Sequence, residues 1–366
     1  MDSSTLGTVN LGKSIIVPSV QKLVEEGSLL KIPPRYAILD QDSPTVFGDG
    51  SLLLSVPVID LGKLVAGDSM DSELERLDAA CKEWGFFQIV NHGVGTDLIE
   101  SFKLEVKNLF KLPFEDKKKL WQQPDNFEGF GQLFVVSEEQ KLDWSDMFGL
   151  HTLPLNVRNN DFFNKIPPIL RETLETYATE MKKLAIKILG QIAKALKMDT
   201  EEMKELTNDG YQSMRMNYYP PCPEPEKAIG LTPHSDADIL TILLQLNEIE
   251  GLQVRKEGKW IPVKPLPNAF VVNIGDMMEI VSNGVYRSIE HRATVNSTKE
   301  RISAATFYTP KLDGVLGPAA SLIGAHNPAI FRQVQVGKYL KEFFARKLEG
   351  KSYLECMRIE DEENRI

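Results

Sequence analysis

From about residue 211 the chain breaks into short runs rich in β-branched and aromatic residues, set apart by Gly, Pro and Asn. These runs are Met214 to Tyr219, Leu240 to Leu246, Leu252 to Lys256, Phe270 to Ile274, Arg287 to Val295 and Arg301 to Tyr308. Strands this short cannot bury their faces singly, and at this spacing they predict a sandwich or barrel.

The preceding residues follow a different period. After Pro167-Pro168, the residues Leu170, Leu174, Tyr177, Met181, Leu184, Ile188 and Ile192 recur at steps of three and four, which predicts a long helix facing a core. Ser72-x-x-Glu75 reads as a capping box opening a helix with Leu74, Leu77, Cys81 and Trp84 on one face. Val56 to Asp60 reads as a strand entry and Gly85 to Val90 as a buried strand. Residues 1 to about 55 combine a short helix, Val20 to Glu26, with the Pro33-Pro34 break and a Gly48-Asp49-Gly50 turn, as suits an arm wrapped on the body. A helix from Val336 to Lys347 closes the chain. The expected regions are a mostly helical 1–210, a strand-rich 211–315 and a helical 316–366.

With 366 residues, 42% of them apolar, the chain can fill a substantial core. Its 52 acidic and 42 basic residues leave a net charge of −10, which argues against nucleic acid, whose nonspecific binding needs clustered Lys and Arg. A small-molecule partner fits better. Cys81, Cys222 and Cys356 are odd in number and lack metal spacing, so a reducing compartment without disulfides is expected. The start Met1-Asp2-Ser3-Ser4 has no secretory pattern and no apolar run approaches membrane-spanning length. A monomer in the cytoplasm, with no membrane partner, is the expectation.

The chemistry gathers in the strand-rich part. His234 and Asp236 face the same way if their segment is extended. With His291 they supply two imidazoles and one carboxylate, a set that holds one face of a ferrous ion and leaves positions open. Asn296 to Glu300 reads as a hairpin loop, and a symmetric hairpin places His291 opposite Ala305 and Ala293 opposite Ser303. On that register Arg301, Ser303 and Phe307 share the face of His291, with Arg301 roughly 13 Å along the strand at a rise of about 3.3 Å per residue. A five-carbon diacid and an extended Arg side chain would fill the gap, the guanidinium holding a carboxylate through two parallel hydrogen bonds. Asn217 and Tyr219 lie together on one strand face and can add donors.

Blander readings compete at each point. A His-x-Asp triplet is weak alone; His291 and the Arg301-x-Ser303 pair make the set specific. Zinc suits the same ligands for hydrolysis, though the Arg-x-Ser clamp has no evident use there. Asp238 is read as outside the metal shell, because an oxygen-activating site needs open positions. Phe307 reads equally as core filling or as an aromatic floor under a substrate. His92 reads as a strand-exit turn, His151 as core or pocket, His326 as a loop residue and Cys222 as structural.

The segments Cys81 to Gln88, Asn91-His92-Gly93, Asn217 to Pro223, Leu231 to Asp236 and Asn283 to Arg292 resemble signatures of the plant soluble dioxygenases that use ferrous iron and 2-oxoglutarate. The likeness spans nearly the whole chain and looks closest to the senescence-related group that includes morphinan alkaloid O-demethylases. It implies an α+β fold: a double-stranded β-helix, or jelly-roll, core with a helical N-terminal half and a C-terminal helix. It implies iron on His234, Asp236 and His291, and 2-oxoglutarate on Arg301, Ser303, Asn217 and Tyr219, with ascorbate as supporting reductant and O2 as co-reactant. Met147, Gly149 and Phe307 match positions that line substrate pockets in relatives. Gly149 stands where flavonoid-acting members carry an aromatic, which disfavours flavonoids and favours hydroxylation or O-demethylation of an alkaloid-like metabolite. An ascorbate-dependent oxidase of the ethylene-forming kind and a non-catalytic ligand-binding relative are the alternatives.

Overall fold

The computed structural model describes residues 14–27, 29–38, 54–66, 70–123, 126–348 and 350–359. The Gly48-Asp49-Gly50 turn lies outside them. The strands of the two larger sheets are β1 (Val58–Asp60), β2 (Phe86–Val90), β3 (Gly129–Gly131), β4 (Asp146–Leu153), β5 (Tyr211–Tyr219) and β6 (Leu231–His234), followed by β7 (Leu240–Gln245), β8 (Leu252–Lys256), β9 (Lys259–Pro262), β10 (Phe270–Ile274), β11 (His291–Ala293) and β12 (Arg301–Thr309). They form an eight-stranded sheet in the order β1-β2-β10-β7-β12-β5-β4-β3 and a four-stranded sheet in the order β6-β11-β8-β9. The inner faces of the two sheets enclose the cavity that carries the chemistry, as in a jelly roll. The N-terminal region contributes β1 to β4, so it completes the large sheet as well as supplying helices.

The helices are α1 (Val20–Glu25), α2 (Leu61–Val65), α3 (Met70–Glu83), α4 (Thr96–Phe110), α5 (Phe114–Lys118) and α6 (Asn160–Phe163), then α7 (Pro168–Leu196), α8 (Thr200–Thr207), α9 (Asp276–Val281), α10 (Val336–Phe344) and α11 (Ser352–Glu355). Every apolar position predicted on α7 is buried. This helix packs on α3 and α4 and on the outer face of β4, β7 and β12. The Phe102 ring stacks on Tyr177 at 3.7 Å, joining α4 to α7. The arm also docks: Val17, Val20 and Tyr36 share a cluster with Trp144 and Cys222.

Three local expectations change. Ser72 lies within α3, exposed, and does not cap it; Glu73 is the turn's buried acid, accepting from the Asp60 amide at 2.7 Å. The run Arg287 to Val295 is a strand only over His291–Ala293. Ahead of it the Ser288 amide donates to the Glu279 carboxylate at 2.8 Å. Arg287 lies with its carbonyl against Gly85, where an added Cβ would come within 2.2 Å and φ is +58°.

The third change is topological. β11 and β12 are not a hairpin: β11 sits between β6 and β8 in the small sheet, while β12 sits between β5 and β7 in the large one. Both edges of each strand are already paired. The residues between them therefore cross from one sheet to the other, and His291 opposes His234 and Val254 instead of Ala305.

Candidate active site

His234 ends β6 and His291 begins the neighbouring β11, so strand pairing sets the two rings side by side, with centroids 4.3 Å apart. Asp236 lies two residues beyond β6, in irregular backbone rather than on the extended strand expected. Its Oδ1 is 3.5 Å from His234 Nε2 and 3.6 Å from His291 Nε2. All three ligand atoms fall within 4.8 Å of one another.

Second contacts fix which atoms face inward. His234 Nδ1 lies 2.8 Å from the Thr232 carbonyl and His291 Nδ1 3.2 Å from the Ile289 carbonyl. A carbonyl only accepts, so each Nδ1 is the donor of its ring and each Nε2 is the atom turned inward. His234 Nε2 is buried without a hydrogen-bond partner. Asp236 Oδ2 accepts from Thr241 Oγ1 at 2.7 Å and Asn273 Nδ2 at 2.8 Å, which leaves Oδ1 for the histidine side. Burial works to raise the Asp236 carboxyl, but His291 and His234 hold it far below the usual range. Burial, then the neighbouring His234, pushes His291 down to about 4. A neutral imidazole and an ionised carboxylate are the forms that bind a divalent cation, and an orphaned inward nitrogen fits one.

Across the cavity, β12 and β5 pair Arg301 with Tyr219 and Ser303 with Asn217. Arg301 is 3% exposed, and its guanidinium stands 5.1 Å from the Tyr219 ring centroid. It reaches Ser303 Oγ at 3.5 Å and Gln245 Oε1 at 3.3 Å, while its Nε has no partner. Burial pushes the guanidinium down, yet its intrinsic basicity keeps it charged. No carboxylate of the described residues pairs with it. One cavity holds these four residues together with Asp236 and His291. Gln245 was not foreseen; its signal is the inward alternation of β7.

A second, apolar cavity opens beside His234 and Asp236, with an empty volume of about 690 Å³ including its mouth. Phe127, Phe134, Phe307, Phe343 and His151 are among its walls. Phe307 also faces the Arg301 cavity, whereas Met147 lines a more polar one with Gln132 and Lys347. Gly149 lines none of the three. A Cβ there would come within 2.9 Å of the Phe127 ring, so the aromatic at this wall comes from a different segment.

The remaining polar groups separate cleanly. Asp238 lies outside the metal-competent trio and accepts from Thr309 Oγ1; burial pushes its carboxyl up to about 7. His151 sits between the rings of Phe127 and Tyr211, and burial pushes it down to about 3. His92 is held by the Val94 amide and the Asn268 carbonyl, and His326 is exposed in a turn. Cys222 is buried, its thiol pushed up by burial to about 11. Arg215 on β5 reaches all three cavities and was also unforeseen.

A jelly roll that turns two imidazole nitrogens and a carboxylate toward one buried point is the frame and ligand set of the non-haem iron oxygenases. Residues 210–310 match the 2OG-Fe(II) oxygenase superfamily, and residues 56–168 match the non-haem dioxygenase in morphine synthesis N-terminal family. Protein SRG1 of Arabidopsis thaliana is 51% identical over 94% of this chain and 97% of its own. Oxoglutarate-dependent flavonoid 7-O-demethylase 1 of Ocimum basilicum is 50% identical, covering 96% and 93%. Thebaine 6-O-demethylase of Papaver somniferum is 49% identical, covering 96% and 98%. The crystal structure of JOX2 in complex with 2OG, Fe and JA superposes with a TM-score of 0.85 at 37% identity, covering 95% of this chain and all (100%) of that one. The chain belongs to the 2OG-Fe(II) oxygenase superfamily and is a 2-oxoglutarate-dependent dioxygenase, with Fe(II) and 2-oxoglutarate as its cofactors. Among the described residues no helix is long and apolar enough to cross a membrane.

Proposed function

We propose that this enzyme hydroxylates or O-demethylates a plant specialised metabolite, with an alkaloid-like ring system favoured, and releases succinate and carbon dioxide. One observation carries the reading: two inward Nε2 atoms and one free carboxylate oxygen meet where the apolar cavity adjoins a second one, and that second cavity is lined by a buried Arg301 with no carboxylate partner among the described residues. His234, Asp236 and His291 hold Fe(II). Arg301 binds the distal carboxylate of 2-oxoglutarate, with Ser303, Asn217 and Tyr219 donating beside it. When bound, iron and 2-oxoglutarate would supply the oxidation: the 2-oxo acid loses carbon dioxide to become succinate, with one O2 atom ending in the succinate carboxylate and the other in the substrate's former C–H bond.

The chain's own part is placement and exclusion. Thr241 and Asn273 fix the Asp236 carboxylate, and the Thr232 and Ile289 carbonyls fix the imidazole tautomers. The aromatic walls, Phe307 included, hold an apolar ring system before the metal and keep bulk water out. Where the oxidised carbon belongs to a methoxy group, hydroxylation yields a hemiacetal that collapses to an alcohol and formaldehyde.

Two relatives of nearly equal identity are named for a flavonoid and an alkaloid, and Phe127 supplies an aromatic where Gly149 does not. Methoxyflavonoids therefore stand beside alkaloids as candidate substrates. Ascorbate is the supporting reductant. Residues 1–210 form the N-terminal region that packs on the barrel and lends Phe127, Phe134 and His151 to the apolar cavity, 211–315 the catalytic core and 316–366 the C-terminal segment of a cytoplasmic monomer.

The test incubates enzyme, Fe(II), ascorbate and 2-oxoglutarate with a panel of methoxylated alkaloids and flavonoids, with products read by mass spectrometry. Succinate should form in step with demethylated or hydroxylated product, and His234→Ala should abolish both. Succinate formation untouched by that substitution sinks the assignment. Turnover without 2-oxoglutarate favours the ascorbate-dependent oxidase, and ligand binding without turnover favours a non-catalytic relative.

A further inference from the structure

Arg215 has no task in the reading above. It projects from β5 on the face that carries Asn217 and Tyr219, with Ala305 of β12 and Gly149 of β4 as its paired neighbours. Neither neighbour has bulk, so the side chain extends freely and stands where the apolar, polar and Arg301 cavities meet. Its Nε is buried with no hydrogen-bond partner. Its guanidinium centre lies 5.5 Å from the Phe307 ring centroid, and no carboxylate of the described residues pairs with it. The nearby carboxyls, Asp143 and Asp238, feel the Arg215 charge but form no ion pair with it, and each has one oxygen held, by Thr232 Oγ1 at 2.6 Å and by Thr309 Oγ1.

Arg215 is half-buried, with its Nε shut off from water and unpartnered, and a polar group so placed is stabilised by meeting an acceptor. Arg301, buried outright, finds its acceptor in the cosubstrate's distal carboxylate. That carboxylate does not account for Arg215, which lies four positions along β5 from the partner of Arg301, or roughly 13 Å at about 3.3 Å per residue. We infer that Arg215 binds an anionic oxygen, a carboxylate or phenolate, on the substrate to be oxidised, and so selects, among the alkaloids and methoxyflavonoids proposed above, those that carry an acidic group. The inference rests on the dioxygenase reading of the site. It deepens that reading by adding a charged contact to an otherwise apolar pocket, in the bidentate-capable geometry that suits an oxyanion.

The test uses full-length enzyme with Fe(II), without oxygen, titrated calorimetrically with matched probes. One pair is 6-methoxy-2-naphthoic acid and its methyl ester; the other is 6-methoxy-2-naphthol and 2,6-dimethoxynaphthalene. The acidic member of at least one pair should bind roughly 10-fold or more tightly than its capped partner, as expected of a hydrogen bond to a charged group. The first pair reports a carboxylate site and the second a phenolate site. Arg215→Met should erase the preference and leave the affinity for 2-oxoglutarate unchanged, and Arg215→Lys, the milder change, should keep part of it. The inference is overturned by absence of any acid preference in the wild type, or by an Arg215→Met loss equal for both members of a pair, which is packing against Phe307. A parallel loss of 2-oxoglutarate affinity overturns it too, since Arg215 would then serve the cosubstrate. Titrations run with and without 2-oxoglutarate keep the two readings apart. A wild type that binds no 2-oxoglutarate defeats the Arg301 assignment, while the probe pairs still decide Arg215.

Discussion

A carboxylate that must present one oxygen to a cation needs its other oxygen held. Thr241 and Asn273 do this for Asp236, and both donors are buried. With Asp236 as a ligand, Thr241→Val and Asn273→Leu should each weaken metal binding roughly 10- to 100-fold, the usual effect of removing a group that orients a ligand. Anaerobic Fe(II) titration checks this, and wild-type affinity in both variants would refute it. His151 makes a different residue-scale statement. Burial pushes its imidazole down to about 3, against about 6.5 in an unfolded chain. As pH falls, the unfolded chain takes the proton first, so the stabilisation present above about pH 6.5 is lost toward pH 3. At pH 4.5 the loss is about 2 to 3 kcal/mol. His151→Phe keeps a ring between Phe127 and Tyr211 and should flatten this part of the stability–pH curve. Parallel denaturation curves for the two proteins would exclude the effect.

Among the elements, α1 shows how the arm is fastened. Asp146 of β4 accepts from Ser19 Oγ at 2.7 Å and from the Val20 and Gln21 amides at 2.9 Å each. Asp146→Ala strands three donors and should cost about 2 to 4 kcal/mol, with faster hydrogen exchange over residues 14–38. Exchange unchanged there would place the anchor elsewhere. The run that became α1 was legible because its signals are local, as were α7, β8 and β10: apolar spacing sets the face, and Gly and Pro set the ends. The partners of β11 and β12 were not. Turn residues between two strands announce a reversal, but whether it stays within one sheet depends on β8, β5 and β7, distant in sequence and already occupying those edges. The metal-competent trio could be read from residue type and spacing. Arg215 could not, because an Arg on a half-buried strand looks ordinary until its neighbours prove to be Gly149 and Ala305.

At the scale of the molecule, the C-terminal segment clasps the strand that carries His234. The Gly350 amide donates to the Pro233 carbonyl at 3.2 Å, and the Ser235 amide donates to the Gly350 carbonyl at 3.3 Å. Lys351 Nζ secures the clasp from 2.7 Å to Glu279, a carboxylate only 2% exposed. Lys351→Met leaves that acid with Arg358 at 3.6 Å, and should lower stability by about 1 to 3 kcal/mol and speed exchange over residues 346–358. Equal stability and exchange in the variant would show the clasp to be held by its backbone alone. The crossing between β11 and β12 bears on the jelly roll itself. With the proposed metal ligands His234 and His291 on the small sheet and Arg301 on the large one, the gap between sheets would serve as a ruler for the dicarboxylate. Discrimination between 2-oxoglutarate and its one-carbon-longer homologue then depends on side-chain bulk in that gap, at Leu243 or Ala305, and the crossing loop can change length without resetting the scale.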